Sequence, residues 1–345
     1  MRARTREIHD FILDLIPNSE DFAAITAGKF GISRQAVHRH LQQLVKDGMI
    51  EVVGESKRKK YQLRLRSAKT YKFNLKESLS EDRAWAQQAR PFFTPLASSN
   101  VYEILHYGFT ELFNNAIDHS EGDFVEIGLY DFSTNFTLTV ADDGVGIFRK
   151  IRKYLNLDDP RQALLELAKG KMTSDPDRHS GEGIFFTSRM CDLFTLDSQS
   201  LVYTRFGNDD WLLENRENEH LGTKVTLQIK KNSTKTPKEI FSKYASEADD
   251  YGFTRTHVPV NLAIYEGDNL VSRSQAKRLL ARIDRFREVI LDFRNVKEIG
   301  PAFADEIFRV FANAHPSINL IWINADKYVL KMINRAKSTD ANQQA

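Results

Sequence analysis

Cysteine is nearly missing from this sequence: Cys191 stands alone among 345 residues. An intrachain disulfide is therefore excluded, and the composition fits a reducing compartment. Long apolar runs are absent too, since no stretch approaches the ~18 residues a membrane helix needs. Arg2, Arg4 and Arg6 precede a short apolar stretch, 11–13, which Asp14 cuts and Pro17 ends. That is too short and too charged for a signal peptide, so the expected location is cytoplasmic, with no membrane partner. With 41% hydrophobic and 28% charged residues, collagen-like, disordered-tail and small disulfide-scaffold classes are also out. At ~150 residues per domain, the length suggests two or three domains, each able to bury a core.

Net charge is only +2, yet it is unevenly spread. Residues 1–76 carry 16 Lys/Arg against 8 Asp/Glu, and the remainder carries 33 against 39. A basic head on an acidic body points to a polyanion as partner of the head. Within that head, Ile8, Phe11, Ile12 and Leu15 recur at helical spacing, and a second helix is expected over 23–29. Ser33 then caps a third, ending at Gly48, with Ala36, Val37, Leu41 and Leu44 on its core face. The strands 49–53 and 61–65 flank the charged loop 54–60.

This order, and "GISRQAVHRHLQQLVKDGMIE" in particular, resembles a winged helix-turn-helix domain over about residues 5–66. The resemblance implies DNA binding. Ser33, Arg34, Gln35, His38 and Arg39 would enter a major groove, and Lys57, Arg58, Lys59 and Lys60 would lie on backbone phosphate. The same fold also serves as a protein-docking module, and a Lys/Arg run can be simply a solvated turn. Residues 67–99 read as a partly helical linker.

The middle opens with a helix expected over 102–119, where Glu111, Asn115 and His119 are spaced by four and share a face. A polar stripe facing water is the plain alternative. Alternating strands 125–130 and 136–140 lead into Asp142-Asp143-Gly144-Val145-Gly146, a carboxylate beside backbone that a ligand can approach. Residues 149–180 follow, with a short helix from Pro160 to Gly170. Gly181-Glu182-Gly183 then opens a helix whose free N–H groups suit phosphate. Gly222-Thr223 begins a last strand, 224–229.

Each piece is common alone, but in this order they resemble the GHKL ATPase fold of gyrases, histidine kinases and mismatch-repair ATPases, over about residues 100–230. The resemblance implies ATP and Mg²⁺ as cofactors. Asn115 would bind the metal, and Glu111 would orient or deprotonate an attacking water or hydroxyl. Asp142 would accept the adenine amino group. Gly144 and Gly146 would let the backbone approach the nucleotide, Gly181 and Gly183 would form the phosphate side of a lid spanning 149–180, and Thr223 would support the adenine end. Asp118 and His119 stand where the family places polar residues near the nucleotide. One of Lys171, Arg178 and His179 could reach a phosphate, or all three could face solvent.

Beyond a polar linker at 231–257, strands expected at 258–265, 289–293 and 318–323 alternate with helices at 272–286, 302–314 and 329–336, which implies a small α/β layer. "VILDFRNVKEIGPAFADEIFRVF" resembles a STAS-like domain, closest to the family of unknown function found attached to GHKL modules. Where the related anti-sigma-factor antagonists carry a phosphorylatable serine, this chain has Gly300-Pro301-Ala302, with no hydroxyl. Asp305 and Glu306 could meet a protein partner or belong to a solvated face.

The expected architecture is a multidomain α/β chain. Its parts are a winged-helix head (1–66), a linker (67–99), a GHKL α/β sandwich (100–230), a second linker (231–257) and a STAS-like domain (258–340). The expected function is nucleotide-switched DNA or partner binding with weak Mg-dependent ATPase activity, in a homodimer. A serine/threonine kinase of the anti-sigma type and a slow ATPase clamp are the alternatives. A histidine autokinase lacks its dimerisation helix pair, and a clamp would want a transducer lysine after residue 230.

Overall fold

The computed structural model describes residues 3–17, 19, 21–54, 60–172, 181–214, 220–247, 250–264 and 269–341. At the N-terminus, apolar spacing of three and four builds α1 (Ala3–Leu15), α2 (Phe22–Phe30) and α3 (Arg34–Lys46). Ile8, Ile12, Val37, Leu41 and Leu44 are buried in a small core of their own. Ser33 Oγ accepts from Ala36 N–H at 3.2 Å, which satisfies one of the donors left open at the start of α3. The antiparallel pair β1 (Ile50–Val53) and β2 (Lys60–Leu63) closes this unit.

A single residue, Arg64, separates β2 from β3 (Leu65–Asn74). The span 67–99, expected as a linker, is therefore built into the body. Residues 67–74 are the edge strand of a seven-stranded sheet of order β3-β4-β5-β9-β6-β7-β8. Its lysines disguised it. Tyr71 and Phe73 pack against the core, while Lys69 and Lys72 stay exposed along the edge, the usual protection of an open strand. Next come α4 (Glu81–Ala84) and α5 (Arg90–Phe93), joined by a π turn over Trp85–Ala89. The sheet continues with β4 (Phe124–Phe132), β5 (Asn135–Asp142), β6 (Leu193–Gln199), β7 (Leu201–Phe206), β8 (Asp209–Glu214) and β9 (His220–Lys230). The three strands β6, β7 and β8 were not anticipated, although burial alternates with period two along β6 and β7. Helix α6 (Ser99–His119) packs across β5 and β9, with Ile104, Leu105, Phe109, Leu112 and Phe113 turned inward. Two further helices, α7 (Ile147–Leu155) and α8 (Pro160–Lys169), precede α9 (Gly183–Met190).

The second span expected as a linker, 231–257, is also structured. Thr236 and Glu239 form a capping box for α10 (Pro237–Tyr244), and β10 (Ala245–Glu247) pairs with β11 (Asp250–Phe253). The C-terminal layer is a parallel sheet of order β12 (Arg255–Pro259), β13 (Glu288–Asp292), β14 (Asn319–Ile323). Parallel neighbours need crossovers. These are α11 (Arg273–Leu280), and α12 (Pro301–Asp305) with α13 (Ala312–Ala314) joined by a π turn over Glu306–Phe311. Helix α14 (Lys327–Ala341) is the last described element. Two expected boundaries move. The strand stops at Pro259, whose fixed backbone gives way to a 3₁₀ turn over Val260–Ala263. The helix expected over 272–286 stops at Leu280, because Arg282 adopts the left-handed region at φ 58°. This layer shares one continuous apolar core with the seven-stranded body. The chain is thus mixed α/β with several sheets. Among the described residues no helix is long and apolar enough to cross a membrane.

One polar contact inside the head makes its stability pH-dependent. His9 on α1 lies 3.1 Å from His40 on α3, nitrogen to nitrogen, with the rings edge to face. Burial and the mutual charge lower the pKa of His9; burial and then Arg39 lower that of His40. Both rings are held neutral in the fold, so the unfolded chain takes up protons first as pH drops below about 6.5. Head stability should be level above about pH 7 and fall as pH descends through 6.5 toward the depressed folded values. Amide protection in α1 and α3, referenced to α6, should decline between pH 7.5 and 5.5, and His9→Leu should shrink the decline. Protection that is flat across that range would contradict it.

Candidate functional site

Helix α6 places Glu111, Asn115 and His119 on one face, four residues apart, and all three line a cavity of about 300 Å³. The opposite wall comes from the end of β5 and the start of β9. There Asp142 Oδ1 accepts from Gly144 N–H at 2.9 Å and from Thr223 N–H at 3.2 Å. Thr223 Oγ1 in turn accepts from Ile147 N–H at 3.0 Å. The strand end, the turn 143–146, the start of α7 and the start of β9 are therefore tied together around one carboxylate. Gly222 is required here: its φ is +101°, and a Cβ on it would collide with the Asp142 carbonyl. Val145 N–H donates to Ser120 O at 2.8 Å, which fixes the glycine turn against the end of α6.

At the other end, the N-terminus of α9 meets Glu111. A Cβ on Gly183 would strike Glu111 Oε2, so only glycine lets this carboxylate lie against the helix start. Burial first, then the negative charges of Glu111 and Glu182, push the neighbouring Tyr107 phenol far above its usual range. Tyr107 thus stays protonated, and two carboxylates flank this side of the site. Apolar walls from Leu112, Ala116, Val140, Ile151 and Val225 complete a concave, mostly greasy site with a few convergent polar groups, the usual form of a small-molecule pocket.

Of the residues singled out from the sequence, Glu111, Asn115, His119, Asp142, Gly146, Gly181, Gly183 and Thr223 line this one cavity. Gly144 does not line it but backs the wall through its N–H on Asp142. Asp118 is exposed on another face of α6. Lys171 is not on the wall either and donates to Arg285 O at 3.3 Å. Arg178 and His179 lie outside the described residues. The sequence reading missed Lys150, Tyr154 and Met172, all on the cavity wall. Lys150 Nζ donates to His119 O at 2.8 Å and pairs with Glu121 at 3.0 Å. Its only sequence signal was a basic run, 149–153, in which the inward member is not marked.

On the head, Ser33, Arg34, Gln35, His38 and Arg39 are all exposed around the start of α3, and Lys60 is exposed at the start of β2. Lys57, Arg58 and Lys59 lie outside the described residues. In the C-terminal layer, Gly300 N–H donates to Leu270 O at 2.7 Å, and a Cβ on Gly300 would strike Val271. Asp305 is bonded by Arg309 at 2.5 and 2.7 Å, which holds its carboxyl below the usual range, and Glu306 is buried beside Lys277.

Comparison with family models matches residues 275–330 to a STAS-like domain of unknown function (DUF4325). The matched span runs from α11 into α14, so the C-terminal layer is STAS-like. A search of curated proteins finds no match.

Three glycines make separable predictions. Gly222→Ala should destabilise the fold by about 2 kcal/mol or more, combining a left-handed backbone with a steric clash. Gly207→Ala, with φ +60° but open space around it, should cost only about 1 kcal/mol. Gly183→Ala should leave the melting temperature nearly unchanged while displacing Glu111 and weakening ligand binding. Denaturant titrations of the three variants check this, and equal losses for Gly222→Ala and Gly207→Ala would refute the clash.

Proposed function

We propose that the chain is an ATP-binding, DNA-binding regulator whose central module switches DNA or partner binding with nucleotide state. The observation that carries this reading is the gathering of these residues around one cavity. One end holds a carboxylate fixed by two backbone N–H groups, and the other holds Glu111 and Asn115 beside a helix start. Asp142 suits an adenine amino group, because its orientation is locked and it is lined by apolar surface for the ring. Asn115 offers an amide oxygen to a hard cation. Among the described residues no group of three His, Cys, Asp or Glu could hold a metal, so Mg²⁺ here would share its coordination with phosphate oxygens and water. Gly181 and Gly183 line the cavity at the α9 N-terminus, where backbone N–H groups suit phosphates.

Mg²⁺ would supply charge neutralisation of the phosphates. This chain's own groups do the rest: Asp142 and Thr223 select and hold the base, and Glu111 is placed to accept a proton from water or a hydroxyl. Phosphoryl transfer to the chain's own STAS-like layer is not favoured, since Gly300-Pro301-Ala302 has no hydroxyl and Gly300 faces Val271. The head supports the DNA half of the proposal through the basic, exposed start of α3.

Purified protein should bind Mg·ATP. Asp142→Asn should weaken binding at least tenfold. Glu111→Gln should retain binding and lose turnover by ~10²-fold or more, the range for removal of a general base. Arg39→Ala should weaken duplex DNA binding across sequences and lower the salt slope by about 1 if it meets phosphate, or relax specificity at one position if it meets a base. Failure of the wild type to bind any adenine nucleotide would sink the nucleotide reading. DNA affinity and oligomeric state unaffected by ATP or ADP would sink the switch.

A further inference from the structure

The two chain segments that border the cavity at Met172 and at Gly183 are both fastened to the STAS-like layer. On the first, Met172 lines the cavity and its N–H donates to Gly181 O at 3.0 Å. Three residues earlier, Lys169 is wholly buried: Nζ donates to Glu166 at 2.8 Å and to Ala281 O at 2.7 Å, and Lys169 O accepts from Thr256 Oγ1 at 2.6 Å. Between them, Lys171 O accepts from Arg285 Nη1 at 3.0 Å. On the second segment, Gly183 and Ile184 line the cavity at the start of α9. At the far end of the same helix, Arg189 Nη2 donates to His257 O on β12 at 3.3 Å and to Ala168 O at 3.2 Å. An eight-residue helix is a rigid bar of about 12 Å. The helix that touches Glu111 at one end is thereby bonded to the STAS-like sheet at the other.

A plain packing interface would distribute its bonds without regard to the cavity. Some do lie elsewhere: Arg294 meets Asp209 at 3.1 Å and Asn261 Nδ2 donates to Asp210 O at 2.7 Å, both at the β7–β8 turn. Those two bonds are separate from the bonds to the cavity's borders, so they can keep the layer attached when the border contacts are removed.

We infer that the STAS-like layer regulates the cavity in cis: by holding both bordering segments it keeps the site in its ligand-accepting form, so that ligand affinity and docking of the layer are linked. Linkage is reciprocal, so whatever tightens one must tighten the other by the same factor. The inference rests on the nucleotide reading, because it concerns the regulation of that same cavity.

The test uses the full chain and a non-hydrolysable ATP analogue with Mg²⁺. Bound analogue should slow amide exchange at 255–258 and 278–285 at least fivefold, the lower end of typical coupling. Thr256→Val, which replaces the hydroxyl on Lys169 O by a methyl, and the exposed Arg285→Ala should each weaken the analogue about five- to tenfold without lowering the melting temperature by more than a few degrees. Thr256→Ser should restore affinity. If the analogue binds while exchange in both segments is unchanged and Thr256→Val binds like the wild type, the inference is wrong and the nucleotide reading stands. If the wild type binds no analogue, both are wrong.

Discussion

A guanidinium removed from water holds the middle of this molecule together. Arg189 donates to Phe185 O, Ser188 Oγ, Ala168 O and His257 O, and its Nε reaches the Tyr244 hydroxyl at 3.2 Å. Its face also lies over the Phe185 ring at 3.4 Å. Four elements, α8, α9, α10 and β12, thus meet at one side chain. Burial pulls its pKa down, but arginine keeps its proton where a lysine would be easily discharged. A buried cation costs several kcal/mol in lost hydration unless its donors are satisfied, so the geometry of those four elements is constrained to keep every acceptor in place. Lys169, the residue after Ala168 at the same junction, is also wholly buried and is paired with Glu166 at 2.8 Å.

That junction explains why the cavity and the C-terminal layer cannot be described apart. The seven-stranded sheet supplies Asp142 and Thr223 from adjacent strands, which needs only strand register. Glu111 and Gly183 come from two helices, and helices are held by packing. Phe185 and Phe186 on α9 pack against Phe253 and Tyr244, residues that precede the STAS-like sheet. The aromatic cluster and the buried guanidinium together fasten α9 to α10 and to β12.

Local signals were legible in the sequence where a short-range rule fixes them. The spacing of Glu111, Asn115 and His119 gives one helix face whatever lies around it. The Asp142-x-Gly-x-Gly turn and Gly222-Thr223 meet because glycine permits what their backbones require. Ser33 as a cap was visible for the same reason. What escaped was long-range. Strand β3 reads as a polar basic stretch because it lies at an edge, where only Tyr71 and Phe73 need be apolar. Strands β6, β7 and β8 carry Asp197, Arg205 and Asp210 among their apolar residues, and Arg205 with Asp210 is a buried pair at 2.6 Å that no local pattern reveals. Arg189 and Lys169 look like solvated helix charges until the partner that covers them, over sixty residues downstream, is in place. Lys150 likewise sits in a run of basic residues, and only its contacts with His119 O and Glu121 mark it as the inward one.

The junction at Arg64 has a mechanical meaning. Its N–H donates to Met49 O at 3.1 Å and its carbonyl accepts from Ser133 N–H at 2.9 Å, so the head is stitched to the β4–β5 turn rather than tethered. In the sheet register, Leu65 pairs with Phe132 beside the head, while Asn74 pairs with Phe124 and Val125 with Asp142 at the cavity. Head and cavity therefore occupy opposite ends of the same strands. A ten-residue strand is a lever of about 33 Å, and a tilt of about 5° at one end moves the other by about 3 Å. A small change of sheet twist at the cavity end is therefore enough to displace the head by several ångströms at the other.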